Sequence, residues 1–259
     1  MSLTDNLEKN EEMYGTGRMQ EYILELLTEI DVFCKKNDIR YSLSAGTLLG
    51  AVRHKGFIPW DDDVDIMFDR INYDKFLDLS SNLPKDLVIQ QKIWVKRITR
   101  IDNPNIDKEM GCVDLFVFDE VPDNVIKRKI KTFLIQLLQG MLKTEHDYSK
   151  YTFKEKILVF GTWFIGLPFN YQFKQKLYDR ISRIDNTGKN NMINVYNTLF
   201  ECVQRCRFDR RIIDSYLEVI FEDKKFTIIS GYDEYLTEQY GDYMKFPRIE
   251  ERKPAHMRY

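Results

Sequence analysis

Apolar residues along this chain recur mostly at helical spacing, and short alternating runs interrupt that spacing at a few places. Between residues 19 and 37 they fall three or four positions apart, which predicts a helix with one buried face. Shorter helices are predicted at 47–54 and 72–79, and a long helix that Pro122 opens reaches Leu142. Short apolar or alternating runs predict the strands, at 39–44, 64–68, 87–91, 93–101 and 113–118.

Strands are therefore concentrated in the first part of the sequence. From residue 143 to about 226 the pattern is mostly helical, with a break at 185–191. This arrangement predicts an α+β fold, with a mixed β-sheet core flanked by helices at residues 1–120. Residues 121–259 are expected to form a mainly helical C-terminal portion that packs on the core.

Composition narrows the class of protein without naming a function. Hydrophobic residues make up 43% and aromatic residues 14% of the 259 positions, which is typical of a globular protein rather than a disordered one. The formal net charge of −2 argues against bulk nucleic-acid binding. Two local basic runs either face a polyanion or are solvated helix faces: Lys127, Arg128, Lys129 and Lys131, then Arg205, Arg207, Arg210 and Arg211.

Three further features bear on cellular location. The cysteines (Cys34, Cys112, Cys202 and Cys206) form no CxxC pair, so reduced thiols and no zinc site are expected in a cytoplasmic protein. The polar residues 1–15 lack the apolar core of a signal peptide. The most apolar stretch, residues 157–169, is too short to span a membrane; we expect it to be buried, the alternative being an interfacial segment on the membrane surface.

Candidate chemistry is concentrated between Tyr41 and Phe68, where four aspartates follow a turn of small residues. On the strand predicted there, Asp63 and Asp65 point to one face while the apolar residues between and after them enter the core. Adjacent carboxylates repel each other unless a cation neutralises them, and their hard oxygens suit Mg²⁺ or Mn²⁺. Asp62 has the opposite parity and is expected to face away.

The turn before the aspartates is typical of a phosphate site. Gly46 allows close approach of the backbone, the helix that starts at Thr47 presents unpaired N–H groups, and the Thr47 hydroxyl adds a donor. A later acid, Asp114, lies inside an apolar strand, where a carboxylate is costly unless it meets a cation or several donors. It is the candidate third metal ligand or general base; the alternative is a hydrogen-bonded structural Asp.

These motifs together resemble the LicD/fukutin family of the nucleotidyltransferase superfamily. The resemblance is carried by residues 45–66, by Asp114-Leu115-Phe116, and by the C-terminal residues 235–244, Pro247 and His256. It implies a nucleotidyltransferase-like core and transfer of a phosphorylated alcohol, phosphocholine first, from a CDP-activated donor to a hydroxyl of a cell-surface glycan. The acceptor it implies is a lipid-linked teichoic acid or lipopolysaccharide precursor, which implies a cytoplasmic protein with peripheral membrane contact.

The resemblance also assigns roles to residues of this chain. It makes Asp63 and Asp65 metal-binding and catalytic together with Asp114, with Mg²⁺ or Mn²⁺ as cofactor. Ser44, Gly46, Thr47 and Asp61 then belong to the donor-binding site. The runner-up function uses the same residues to add a nucleotide to a small molecule or protein, releasing pyrophosphate; a third is a binding module without catalysis.

Several neighbouring side chains have two interpretations each. Arg53 and Lys55 either reach phosphate oxygens or are solvated, and His54 is either a general acid or base or a packed histidine. Trp60 either stacks on the donor, as on cytosine or a quaternary ammonium, or packs the loop before the aspartates. On the strand before Asp114, a cation such as Arg97 faces the core only if it is paired.

Overall fold

The computed structural model describes residues 3–103, 110–143, 153–198, 203 and 206–254. The helices in this part of the chain are α1 (Leu3–Tyr14), α2 (Gly17–Lys36), α3 (Ala45–Arg53), α4 (Arg70–Asp78), α5 (Val125–Leu142), α6 (Phe153–Gly166), α7 (Tyr171–Ser182) and α8 (Tyr232–Tyr240). The strands are β1 (Ser42–Leu43), β2 (Val64–Asp69), β3 (Leu87–Lys92), β4 (Val95–Arg100), β5 (Val113–Glu120), β6 (Met192–Val195), β7 (Arg207–Asp209), β8 (Tyr216–Phe221) and β9 (Lys224–Ile229).

The chain divides into two units, each with its own core. The first unit comprises Met1–Gln90, Lys96–Val117 and Arg211–Tyr259, and the second comprises Gln91–Val95 and Phe118–Arg210. The division after Val117 lies close to the expected boundary at residue 120. The C-terminal residues from Arg211 onward nevertheless belong to the first unit, which composition alone did not indicate.

The first unit is built around a sheet with the strand order β1-β2-β5-β4-β3. Strands β1 and β2 are antiparallel, with Leu43 opposite Ile66, and β4 and β5 are antiparallel, with Arg97 opposite Asp114. Helix α2 buries the face that its spacing predicts, since Ile23, Leu26, Leu27 and Ile30 are all fully buried. Phe76 of α4 joins these layers, because its ring packs on Phe33 and Phe68.

A hairpin from the C-terminal part of the sequence completes the first unit. Strands β8 and β9 pair antiparallel, and the amide of Ile229 donates a 2.9 Å hydrogen bond to Ser42 Oγ of β1. The ring of Phe221, on the same hairpin, lies 4.8 Å from that of Phe57. The strand β1 that leads into the small-residue turn therefore depends on residues almost 190 positions away.

The second unit combines α5, α6 and α7 with the end of β5 and with β6 and β7. The end of β5 pairs antiparallel with β6, and β6 pairs antiparallel with β7. Its core includes Ile135, Leu138 and Leu142 of α5 together with Tyr178, Ile181 and Tyr196. The buried ammonium of Lys131 donates hydrogen bonds to two backbone carbonyls, of Glu120 at 2.8 Å and of Ile184 at 2.7 Å.

The α+β class is confirmed, and helices extend through the C-terminal part as predicted. The helical pattern was wrong at β6, β7, β8 and β9, where short or exposed strands replace it, and α1 was not predicted. The expected burial of residues 157–169 is wrong for most of its described large side chains, although Trp163 is half-buried. Phe160 is 55% and Phe164 62% exposed, and Ile165, Leu167 and Phe169 are exposed as well. Cys34, Cys112 and Cys206 are buried and form no disulfide with one another, whereas Cys202, Arg205 and His256 lie outside the described residues.

Candidate active site

The small-residue turn between β1 and α3 fixes the backbone of Asp65. The amide of Ser44 donates to the Asp65 carbonyl at 2.9 Å, and the Asp65 amide donates to Thr47 Oγ1, also at 2.9 Å. Ala45, between them, has a φ of 44°, a left-handed conformation that costs a non-glycine residue free energy. The turn predicted to bind phosphate thus also positions one of the predicted metal ligands.

Gly46 lies against the carboxylate of Asp61. A Cβ atom at Gly46 would be only 2.8 Å from Asp61 Oδ2, closer than real Cβ contacts come. A glycine at the first turn of α3 therefore lets the Asp61 carboxylate approach the helix N-terminus, where backbone N–H groups favour negative charge. This close approach is a reason for Gly46 that the sequence pattern did not reveal.

The loop that carries Asp61 is fastened to α2 by two side chains. Gln20, which is fully buried, donates from Nε2 to the carbonyl oxygens of Asp61 at 2.8 Å and Ile58 at 3.2 Å. Thr16 Oγ1 donates to the carbonyl of Pro59 at 2.7 Å. Sequence reasoning missed these positioning residues, since a Gln on the buried face of an amphipathic helix is the only signal they give.

The carboxylates of three consecutive aspartates converge at the end of this loop. One oxygen from each of Asp61, Asp62 and Asp63 lies within 4.8 Å of the others. The expectation that Asp62 faces away is wrong, because β2 begins only at Val64 and strand alternation does not extend back to Asp62. Asp62 is fully buried, whereas Asp61 and Asp63 are partly accessible.

The electrostatics of the cluster show how closely its members interact. Burial, followed by the charge of Asp63 and a hydrogen bond with it, raises the pKa of Asp61 well above its ordinary value. Burial raises the pKa of Asp65 in the same way, with further contributions from the charges of Asp63, Asp114 and Asp61. Asp63, at the end of the loop, and Asp65, on β2, are thus close enough to Asp61 and Asp114 for their charges to act on one another.

Arg97 supplies a positive charge to this group. Its Nη2 atom lies 2.9 Å from Asp114 Oδ2, directly across the β4–β5 ladder, and its side chain is buried. The same guanidinium opposes the rise in the pKa of Asp65. The expectation that a cation on β4 faces the core only when paired is therefore confirmed for Arg97.

Helix α8 brings two tyrosines to the site that sequence reasoning did not select. The hydroxyl groups of Tyr235 and Ser44 share a hydrogen bond of 3.2 Å. Burial, the neighbouring Tyr235 and then the charges of Asp65, Asp61 and Asp63 raise the pKa of Tyr240. The signal available in the sequence was the resemblance of residues 235–244 to family C-termini, but it named no role.

Arg53, His54 and Trp60 lie together with the segment that follows α8. Arg53 donates from Nη1 to the carbonyl of Tyr243 at 2.8 Å, so its role as a phosphate ligand stays a prediction. Burial, Arg53 and Arg252 lower the pKa of His54 to about 4, which fits the packed interpretation of this histidine. The guanidinium carbon of Arg252 lies 5.4 Å from the centre of the Trp60 ring, within cation–π distance of that ring.

The residues present fit a hard divalent cation. Burial and mutual repulsion raise the pKa values of Asp61 and Asp65. The candidate ligands that interact in this way are Asp61, Asp63, Asp65 and Asp114. A set of carboxylate oxygens of this kind is the donor set that Mg²⁺ and Mn²⁺ prefer. Asp61 and Asp63 offer converging oxygens, and Asp65 and Asp114 are the further candidate ligands.

Comparison with known proteins places this site in a defined class. Residues 38–136, which hold all four of these aspartates, match the sequence profile described as "LicD/FKTN/FKRP, nucleotidyltransferase domain". Residues 38–136 therefore match a nucleotidyltransferase domain of the LicD family, and the resemblance seen in the motifs of this segment is confirmed.

A relative matches over nearly the whole chain. The lipopolysaccharide cholinephosphotransferase LicD of Haemophilus influenzae is 29% identical over 264 aligned positions, covering 93% of this chain and 96% of its own. Uncharacterized proteins of Rickettsia typhi and Rickettsia prowazekii are 32% and 31% identical over 40% and 50% of this chain, and the alignments span 31% and 45% of their own lengths.

Proposed function

We propose that this chain is a metal-dependent phosphotransferase that moves phosphocholine from CDP-choline to a hydroxyl group of a cell-surface glycan such as lipopolysaccharide or teichoic acid. The observation that carries the proposal is the cluster of interacting aspartates next to the helix N-terminal turn. The Haemophilus influenzae relative supports choline as the head group and lipopolysaccharide as the acceptor. The alternative is a nucleotidyltransferase that releases pyrophosphate.

The reaction forms one O–P bond and breaks another. The acceptor oxygen attacks the phosphorus that carries choline, the bond from that phosphorus to the bridging oxygen breaks, and CMP leaves with the bridging oxygen. The hydroxyl proton passes to a carboxylate of the cluster. Without metal, burial and neighbouring charges raise the pKa values of Asp61 and Asp65, and a bound cation would stabilise their ionised forms. Asp114, the acid predicted as a ligand or general base, is paired with Arg97.

The chain's own residues hold the donor in place for this step. The first-turn N–H groups of α3, at Gly46 and Thr47, are oriented to bind donor phosphate oxygens at the positive end of the helix. Mg²⁺ or Mn²⁺ on Asp61, Asp63 and Asp65 would neutralise the pyrophosphate and stabilise the departing CMP. Most of the rate enhancement in phosphoryl-type transfer comes from such positioning and charge neutralisation.

Calorimetric titration tests donor and metal together. CDP-choline, CDP-ribitol, CDP-glycerol and CTP are titrated into the protein with Mg²⁺ and again with EDTA. We expect CDP-choline to bind at least about tenfold more tightly than the other three, and only with the metal. Incubation of CDP-choline with a lipopolysaccharide acceptor is expected to release CMP.

Two results would contradict the proposal. Preference for CTP with release of pyrophosphate would establish nucleotide transfer instead. Binding of CDP-choline that is equal with Mg²⁺ and EDTA would remove the metal role assigned to the aspartates. Tighter binding of CDP-ribitol or CDP-glycerol would keep the reaction class and replace the head group.

A further inference from the structure

A pocket in the second unit brings together three residues of the two basic runs that the sequence left without a role. Its volume is about 470 Å³, within the usual range for sites of small ligands. Arg128 and Lys129 of α5 line it together with Arg207 of β7. It shares no residue with the aspartate site, and its described lining contains no acidic side chain.

The three cations are available to a ligand. Arg128 is half-buried while Lys129 and Arg207 are exposed, and no ion pair is formed by any of them with the described acids. Nearby acids are engaged elsewhere, since Glu120 pairs with Arg210 and Asp119 accepts a hydrogen bond from Asn186 Nδ2. Three unpaired cations around one concave surface favour an anion, and arginine favours phosphate oxygens in particular.

The buried wall of the pocket points to a ligand that also carries hydroxyl groups. Asn194 is only 3% exposed, and its Nδ2 donates to the carbonyl of Val203 at 2.8 Å, which fixes the amide orientation. Its Oδ1 atom is buried and accepts no hydrogen bond within the described part of the chain. A buried acceptor left unsatisfied is costly, so a donor from the ligand would be stabilising.

We propose that this pocket binds a phosphate ester on a hydroxyl-bearing group, with phosphate on Arg128, Lys129 and Arg207 and a hydroxyl donating to Asn194. The phosphate ester belongs to a phosphorylated sugar of the acceptor glycan. That assignment rests on the proposed function, whereas the binding itself does not. The pocket thus gives the enzyme a means of selecting anionic glycans independently of the nucleotide donor.

Glucose 6-phosphate serves as the probe, titrated by calorimetry into the full chain, with glucose and dihexanoyl phosphatidylglycerol below its micelle concentration as comparisons. We expect glucose 6-phosphate to bind and glucose not to. The double variant with Arg128→Gln and Arg207→Gln is expected to weaken the binding of glucose 6-phosphate by at least about tenfold, since both charge-assisted contacts are lost. Lys127→Gln, an exposed neighbour outside the pocket, should change it by less than about twofold.

The controls separate this inference from the proposed function. Asp65→Asn should leave glucose 6-phosphate binding unchanged, and the double arginine variant should still bind CDP-choline. Binding of the sugar phosphate by the double variant at wild-type affinity would overturn the site, as would no binding by the wild type. Tighter binding of the phosphatidylglycerol would assign the pocket to a lipid head group and overturn the glycan source.

Discussion

The backbone of Asp65 is fixed by two hydrogen bonds, and its carboxylate is surrounded by other aspartates. The amide and carbonyl bonds to Thr47 and Ser44 fix its main chain, while Asp63, Asp61 and Asp114 raise the free energy of its ionised form. A buried carboxylate in that position is destabilising by itself and becomes favourable when a cation is bound. The residue therefore has a clear experimental signature.

We predict that Asp65→Asn lowers phosphocholine transfer by about a hundredfold or more, because a metal ligand and part of the charge are lost. The same substitution removes most of the rise in melting temperature that Mg²⁺ gives the wild type. Turnover and differential scanning fluorimetry, with and without Mg²⁺, measure both. Asp78→Asn, an exposed acid on α4, is the control; equal losses in both variants would refute the assignment.

His54 gives a prediction about pH. Its pKa is lowered to about 4 by burial, Arg53 and Arg252, whereas an unfolded histidine titrates near 6.5. The unfolded state then binds more protons between these values, so this contribution to stability is present above pH 6.5 and is lost as the pH falls towards 4. We expect His54→Gln to reduce the fall in unfolding free energy between pH 7 and 5 by about 1 kcal/mol, after discounting for solvent screening.

Urea denaturation of the wild type and of His54→Gln at both pH values measures this difference. An unchanged pH dependence in the variant would mean that the pKa of His54 is not lowered in the folded protein. Nε2 of His54 is buried and has no hydrogen-bond partner within the described residues, so replacing the ring by glutamine removes no hydrogen bond at that atom.

At the scale of elements, helix α3 contains two glycines whose substitution should have opposite consequences. A Cβ at Gly46 meets only the end of the Asp61 side chain, at 2.8 Å, but a Cβ at Gly50 meets the backbone oxygen of Gly56 at 2.5 Å. A side chain can move aside at small cost and a backbone cannot. The first glycine therefore serves the site and the second serves the fold.

We predict that Gly46→Ala leaves the unfolding free energy within about 1 kcal/mol of wild type, since alanine favours the helix, and lowers turnover about tenfold or more by displacing Asp61. Gly50→Ala is expected to destabilise the protein by about 1–3 kcal/mol. Urea denaturation and CMP release on both variants test the contrast. Loss of stability in Gly46→Ala without loss of turnover would contradict it.

The sequence predicted elements well where local spacing decides them. The helices α2 and α5 and the strands β2 and β5 follow from periodicity, since each has one buried face or a continuous buried run. Strand β8 could not be predicted this way, because most of its side chains are exposed or half-buried and its structure depends on pairing with β9. The spacing of apolar residues within β8 does not reveal that β9 is its partner.

The site was predictable to a similar extent. Asp63, Asp65 and Asp114 were selected by residue type and strand context, and the structure shows their charges acting together. Gln20 and Tyr235 were not predicted as site residues because their roles depend on long-range contacts, with Asp61 and Ser44 respectively. The position of Asp62 was mistaken because the loop extends to Asp63.

At the scale of the whole molecule, an exposed apolar surface distinguishes the end of α6 and the start of α7. It consists of Phe160, Phe164, Ile165, Leu167, Phe169 and Phe173, all more than 40% exposed. Residues 157–178 contain no acidic side chain but do contain lysines at 174 and 176. Apolar and aromatic side chains with cations suit the surface of an anionic bilayer. No helix in the described ranges is both long and apolar enough to cross a membrane.

We predict that Phe164→Ser with Phe169→Ser reduces sedimentation with phosphatidylglycerol vesicles at least about fivefold, because two apolar contacts with the bilayer are lost. Ile71→Ser with Ile249→Ser, two apolar residues of the first unit that are even more exposed, is the matched control and should have little effect. Equal sedimentation of the two double variants would remove the membrane interpretation of this surface.

The return of the chain to the first unit has a consequence for synthesis on the ribosome. Ser42 receives its hydrogen bond from Ile229, and Ser44 meets Tyr235, so the turn beside the aspartates lacks these partners until nearly the whole chain has emerged. The second unit is complete once Arg210 has been made. Its core can therefore form on the nascent chain while the turn beside the aspartates still lacks these partners, and the proposed metal site is completed last.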